Sequence, residues 1–318
     1  MTEEKPRRVA AVDCGTNSIR LLVADIGADG RLTDVLRRME VVRLGQGIDR
    51  TGVIAPEAME RTLAAATTYA GQCRELGAEA VRFVATSASR DARNAAQFVD
   101  GVRDAFGDLD VTPEVVAGDV EARLSFSGAT GDLVAMGLAG PYLVVDLGGG
   151  STEIVRGSAD VEAARSMDVG CVRMTERHLH SDPPSHAEVS AVRRDVGTAL
   201  DAASAVVSLS GIRVVVGLAG SITTVTALAL GLTAYDRDAI HLARLSIEQH
   251  RAASRDLLAM TRAQRAALGF MHPGRVDVIG AGALVWHEVL GAVAEQSPGA
   301  EVVTSEHDIL DGIALSLA

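Results

Sequence analysis

Tyr142-Leu-Val-Val-Asp-Leu-Gly-Gly-Gly-Ser-Thr-Glu153 reads as a strand buried on both faces that carries an aspartate into a glycine loop. Four apolar or aromatic residues lead to Asp146, and Gly148, Gly149 and Gly150 follow almost at once. Glycine has no Cβ, so the chain can turn sharply there and bring its N–H groups close to an anion. Ser151 and Thr152 add hydroxyl donors, and Glu153 opens the next strand, Glu-Ile-Val-Arg156. An acid ahead of such a loop repels a bare phosphate. It can instead hold a divalent cation that bridges to the phosphate, or orient a water. A tight hairpin turn by itself would also account for one such loop.

The chain carries a second copy: Val9-Ala-Ala-Val-Asp-Cys-Gly-Thr-Asn-Ser-Ile-Arg-Leu-Leu-Val-Ala-Asp25. The order is the same: apolar strand, Asp13, Gly15, small polar residues Thr16, Asn17 and Ser18, then a second apolar run beginning around Arg20. One copy in each half of the chain points to a duplicated domain and not to a solenoid. A third glycine loop, Val214-Val-Val-Gly-Leu-Ala-Gly-Ser-Ile-Thr-Thr224, follows another buried strand and enters a helical run whose start can receive a phosphate or a nucleotide.

Together, Asp13-Cys-Gly-Thr-Asn-Ser, Asp146-Leu-Gly-Gly-Gly-Ser-Thr-Glu and Gly217-Leu-Ala-Gly-Ser resemble the phosphate-1, phosphate-2 and adenosine-type loops of the actin, sugar-kinase and heat-shock-chaperone superfamily. In spacing and flanks they resemble its exopolyphosphatase / guanosine pentaphosphate phosphohydrolase family, over nearly the whole chain. The resemblance implies an α/β fold of two ribonuclease-H-like (actin-like ATPase) domains, with mixed sheets flanked by helices and an interdomain cleft. The expected boundaries are 1–131 for the first domain, completed by a C-terminal helix at 304–318, and 132–303 for the second. The resemblance also implies a homodimer.

Two further segments gain meaning from it. Thr86-Ser-Ala-Ser-Arg90-Asp-Ala-Arg93 ends a strand and opens a helix, where an arginine can either point at a ligand or lie solvated. The family lines its phosphate site with a Thr-Ser-Ala-x-Arg segment, which favours Arg90; Arg93 and Arg20 are the other candidate phosphate ligands. Ala117-Gly-Asp-Val-Glu121-Ala-Arg-Leu124 matches the family's Ser-Gly-x-x-Glu-Ala-Arg-Leu, which carries the catalytic glutamate. Position alone would leave Glu121 as a surface residue favourably placed on a helix dipole. Gly170-Cys-Val-Arg-Met-Thr-Glu-Arg177 and Arg275-Val-Asp-Val-Ile-Gly-Ala-Gly-Ala-Leu284 resemble family segments as well.

Composition narrows the chemistry. With 318 residues, 47% of them hydrophobic, there is ample core for two domains, but only 3% are aromatic. A net charge of −12 argues against a nucleic-acid partner, so any polyanion must be met by locally concentrated arginines. Lys5 is the sole lysine, which excludes a Walker A loop, a protein-kinase lysine and a Schiff base. The three scattered cysteines suggest a reducing compartment without a disulfide framework, and the charged N-terminus lacks a signal-peptide core; both suggest the cytoplasm. Val214–Tyr235 is uncharged and long enough to span a membrane, but its glycines and threonines read better as strand, loop and helix. His178, His180 and His186 look like a metal cluster in print, yet Asp182-Pro-Pro-Ser185 makes that region a surface turn. Ser185-His-Ala-Glu188 reads as a capping box.

Among elements, a strand is expected at 35–44, a loop at 45–52, a helix from Pro56 to about Leu76, a strand at 80–85 and a helix at 95–107. A strand at 111–116 follows, then a helix capped by Asp119, a link over 126–141, and helices at 186–208 and 221–232. The expected reaction is hydrolysis of the terminal phosphoanhydride of inorganic polyphosphate. Gly15, Thr16, Asn17, Ser18, Gly148, Gly149, Gly150 and Ser151 would bind phosphate. Asp13, Asp146 and Glu153 would hold Mg²⁺ or Mn²⁺, Asp146 and Glu153 being catalytic in that way, and Glu121 would activate water. Short chains are expected to serve at least as well as long ones, because the sequence lacks the helical extensions of longer family members. Three alternatives use the same loops: a pppGpp 5′-phosphohydrolase, a small-molecule kinase, and a non-catalytic polyphosphate- or alarmone-binding sensor.

Overall fold

The computed structural model describes residues 6–318. The chain divides into two compact units, one running to Gly128 and regaining Ile309–Ala318, the other spanning Ala129–Asp308.

The first unit is built on β1 (Arg7–Cys14), which pairs antiparallel with β2 (Ser18–Ile26); β2 pairs in turn with β3 (Leu32–Val41). On its other side β1 runs parallel to β4 (Ala80–Ala85), and β4 to the two-residue β5 (Glu114–Val115), giving the order β3-β2-β1-β4-β5. The period of two sorts the side chains of β1 between two cores. Ala10, Val12 and Cys14 face Tyr69, Phe98, Val102 and Phe106 from α2 (Pro56–Glu75) and α4 (Ala95–Phe106). Val9 and Ala11 face Leu124 of α5 (Gly118–Ala135) and Ile309, Leu310, Ile313 and Ala314 of the last helix, α13 (Ile309–Leu315). Two contacts seat α13. Arg37 grips Asp311 through Nη2 and Nη1, at 2.5 and 3.2 Å, and a methyl on Gly312 would stand 2.0 Å from the Leu124 carbonyl oxygen.

Several elements depart from expectation. The third strand lies at 32–41. The 45–52 loop contains a one-turn helix, α1 (Ile48–Thr51), bracketed by left-handed Gly47 and Gly52. The 111–116 strand shrinks to β5, because Pro113 just before it has no N–H for the ladder. Helix α5 begins at Gly118, so Asp119 sits inside its first turn instead of capping it, and it runs on to Ala135 through most of the expected link. Between β4 and α4 lies the short α3 (Ser87–Asp91).

The second unit repeats the plan. Its centre is β6 (Tyr142–Leu147), antiparallel to β7 (Thr152–Gly157), which pairs with β8 (Val161–Met167). On the other side, β6 is parallel to β9 (Val214–Leu218) and β9 to β11 (Glu301–Thr304), with β10 (Ala243–Ser246) antiparallel at the edge. The run β8-β7-β6-β9-β11 therefore has the pairing senses of β3-β2-β1-β4-β5. Around the sheet lie α6 (Cys171–His178), α7 (His186–Ser204), α8 (Ala219–Ala229), α9 (Arg237–Ile240), α10 (Ile247–Ala259), α11 (Arg262–Ala266) and α12 (Ile279–Gln296). Small residues substitute for aromatics in bringing these helices close: a methyl on Gly282 would stand 2.4 Å from Ser221 Oγ. The Ser185–Glu188 capping box is present at the start of α7. His178 pairs with Asp195 at 2.8 Å and does not gather with His180 and His186. All three cysteines are free and buried. No helix among the described residues is long and apolar enough to cross a membrane.

Candidate active site

Each unit makes the same turn at the end of its central strand. In the first, Gly15 N–H donates to the Ser18 carbonyl at 3.0 Å and β2 departs. In the second, Gly148 N–H donates to the Ser151 carbonyl at 3.0 Å and β7 departs. The sequence repeat is thus a repeat of hydrogen bonding, with a buried aspartate, Asp13 or Asp146, just ahead of each turn.

In the first unit the candidates collect where β1, β4 and β5 end, the edge of a parallel sheet at which ligands bind in open α/β folds. Asp13 lies opposite Arg20 across β1–β2, and Arg20 donates to the same carboxylate oxygen, Oδ2, from Nε (3.0 Å) and Nη2 (2.6 Å). Gly15 avoids the left-handed region, and a methyl there would meet only Ser18 O at 3.7 Å and Thr86 Oγ1 at 3.8 Å, ordinary contacts. The fold itself therefore does not demand glycine at this position. Behind the loop, Gly45 N–H donates to Thr16 O (2.8 Å) and Arg43 N–H to Asn17 O (2.9 Å), so these carbonyls are tied to a second layer. Thr16 Oγ1 donates to Ser87 Oγ at 3.4 Å, joining the loop to the segment after β4.

From that segment Arg90 donates through Nη1 to Glu121 Oε2 (3.1 Å) and to the Val116 carbonyl (2.9 Å). Glu121 is 8% exposed, on the first turn of α5. The surface carboxylate that helix position alone suggested is a buried one held by an arginine. Arg93 is brought elsewhere: exposed, it donates to the Thr51 carbonyl at 3.0 Å and does not join the Arg90–Glu121 pair.

In the second unit Asp146 and Glu153 are register partners on β6 and β7, so their side chains share one face of the sheet. Both are buried, and Glu153 Oε1 accepts from Ser166 Oγ (2.7 Å), its own partner on β8. The glycine loop is fixed through its carbonyls. Cys171 N–H donates to Gly148 O, Val172 and Arg173 N–H to Gly149 O, and Arg173 Nε to Gly150 O at 2.7 Å. A methyl on Gly170 would strike Gly149 O at 2.4 Å, so loop and helix start close against each other. The third loop turns straight from β9 into α8 at Ala219, whose φ is 67°. The Arg275 guanidinium lies against Gly220, where a Cβ would come within 2.1 Å of Cζ. Nearby, the Tyr235 hydroxyl donates to Glu306 Oε1 at 2.5 Å, while burial raises the Glu306 carboxyl above its ordinary range.

Arg173, Arg275 and Ser166 are absent from the expected ligand set. The two arginines lie in quoted family segments, a usable signal. Ser166 is placed only by strand register.

A model of the Ppx/GppA phosphatase family matches residues 22–317. Exopolyphosphatase 2 of Mycobacterium tuberculosis is 53% identical over 98% of this chain and 98% of its own length. Among solved structures, an exopolyphosphatase-like protein is 45% identical over 99% of this chain and 98% of its own, with a TM-score of 0.94. The Aquifex aeolicus PPX-GPPA enzyme is 28% identical over 98% and 99%, with a TM-score of 0.78.

Proposed function

The chain belongs to the Ppx/GppA phosphatase family, and on that premise we propose that it is an exopolyphosphatase, releasing phosphate from the end of inorganic polyphosphate. The observation that carries this reading is the buried Glu121 held by Arg90. Water activation requires an oriented carboxylate, and a sensor that only binds has no need of one.

In the proposed reaction a water oxygen attacks the terminal phosphorus and Glu121 accepts the water's proton. The bond from that phosphorus to the bridging oxygen breaks, and its electron pair stays with the shortened chain. Arg90 orients the Glu121 carboxylate. In the first unit the backbone N–H groups of Thr16 and Asn17, with the Ser18 hydroxyl, are the proposed phosphate donors; in the second unit the corresponding donors are the N–H groups of Gly149, Gly150 and Ser151. Arg20 sits beside Asp13 and contributes positive charge there. Asp146 and Glu153 would suit Mg²⁺ or Mn²⁺, being buried hard-oxygen donors on one sheet face. Asp13 is the corresponding acid of the first unit. A bound cation there would neutralise charge on the phosphate oxygens.

With a net charge of −12 the chain exerts no long-range pull on a polymer, so short polyphosphate is the proposed preferred form. The working compartment proposed is the cytoplasm and the assembly a homodimer. The test is phosphate release measured side by side from short polyphosphate, long polyphosphate, pppGpp and ATP, with and without EDTA. Short polyphosphate should lead and EDTA should abolish turnover. Faster release from pppGpp would move the reading to the alarmone phosphohydrolase, and full activity after exhaustive EDTA would remove the cation.

A further inference from the structure

Three side chains far apart in sequence meet in the second unit. Asp132 lies in the part of α5 beyond Gly128, His241 between α9 and β10, and His307 in the turn after β11. One ligating atom from each lies within 4.8 Å of the others, and all three are half-buried. We propose that Asp132, His241 and His307 form a binding site for a divalent transition-metal ion of the zinc class, separate from the carboxylates proposed to hold Mg²⁺.

The donor set carries the argument. Two imidazoles and one carboxylate suit Zn²⁺, Ni²⁺ or Cu²⁺ and are poorly matched to Mg²⁺, which asks for oxygen. Ligands about 2.1 Å from a tetrahedral zinc stand roughly 3.4 Å from one another. His241 Nε2 and Asp132 Oδ2 are already 3.5 Å apart, and the two rings lie 4.6 Å centre to centre, inclined at 51°. His307 Nδ1 is nearer, 2.7 Å from the same oxygen, and would move out by under about 1 Å to share an ion.

Protons hold the present form together. Glu306 N–H donates to His241 Nδ1 at 3.2 Å, so neutral His241 carries its proton on Nε2, towards Asp132. His307 Nδ1 likewise shares a proton with Asp132 Oδ2. Metal entry moves each ring proton to the opposite nitrogen. For His241 that costs the Glu306 contact, which is already long for a hydrogen bond. Because the ligands must shed protons from the metal-facing atoms, binding should weaken as pH falls.

The test uses the whole protein, stripped with chelator and titrated with ZnCl₂ alone. Wild type should take up one equivalent by calorimetry, gain thermal stability and, with CoCl₂, develop visible d–d absorption; excess MgCl₂ should not compete. His241→Gln/His307→Gln should bind at least ~10-fold more weakly with no stability gain, while His178→Gln, at the sequence-adjacent histidines, should behave as wild type. Binding unchanged in the double variant would overturn the proposal. So would wild type that takes up no zinc and gives no cobalt spectrum, a result independent of whether the variant folds.

Discussion

Replacing Gly15 by alanine separates what the fold requires from what a ligand requires. The added methyl meets nothing closer than 3.7 Å and the backbone there is not left-handed, so the folded protein accepts it without strain. Removing a glycine also narrows the unfolded ensemble, which stabilises by about 0.4–1 kcal/mol. Thermal stability should therefore hold or rise slightly. Binding should suffer, because the methyl fills space beside the loop that the phosphate needs. Losing one charge-assisted hydrogen bond to phosphate costs about 1.5–3 kcal/mol, or roughly 10- to 150-fold in affinity. The assay is thermal unfolding beside steady-state phosphate release from short polyphosphate. Wild-type kcat/KM in a well-folded Gly15→Ala protein would refute the placement of phosphate on this loop. A clear fall in Tm would show instead that the turn itself needs glycine.

Glu121→Gln keeps an oxygen for Arg90 and loses the proton acceptor, so the rate should fall by roughly 10²–10⁴-fold with substrate affinity nearly unchanged, read by single-turnover release and calorimetry. Wild-type turnover in that variant would remove Glu121 from the chemistry. Gly312→Ala forces α13 away from the Leu124 carbonyl and should destabilise the first unit by about 1–3 kcal/mol in urea unfolding. Burial pushes His250 down to about 4, below its ordinary 6.5, and Trp286 Nε1 donates to its Nδ1. Protons therefore favour the unfolded chain: stability present above pH 6.5 should be lost by about 3 kcal/mol as pH falls to 4. His250→Gln should flatten that slope, and an unaltered slope would assign it to other groups.

The central strands and their aspartates were legible because a strand buried on both faces leaves an unbroken apolar run. The pairing senses of both sheets follow once the two hairpins are aligned. The Asp13–Arg20 pair could also have been found, since the Gly15–Ser18 turn fixes the register that sets them opposite. What stayed hidden depends on tertiary contact. Helix α1 rests on two left-handed glycines and on Arg93 reaching the Thr51 carbonyl. Helix α5 continues past Gly128 and Gly131, and Phe126, Ala129 and Leu133 along it are buried, which the local glycine content does not foretell. The Arg90–Glu121 contact joins residues on separate elements with no shared periodicity. The printed cluster His178, His180 and His186 disperses in space, while Asp132, His241 and His307 converge from three segments.

The return of residues 309–318 to the first unit also sets an order of synthesis. The second unit is continuous in sequence and needs nothing beyond Asp308 to close. The first cannot, because Val9, Ala11, Leu22 and Ala24 wait for Ile309, Leu310 and Ile313 to cover them. The half made first is thus finished last, and it presents an apolar face throughout translation of the half that follows. Loss of residues 309–318 would leave the later-made unit whole and strip the earlier one of its lid, so such a lesion should yield aggregation-prone protein instead of a merely shortened one.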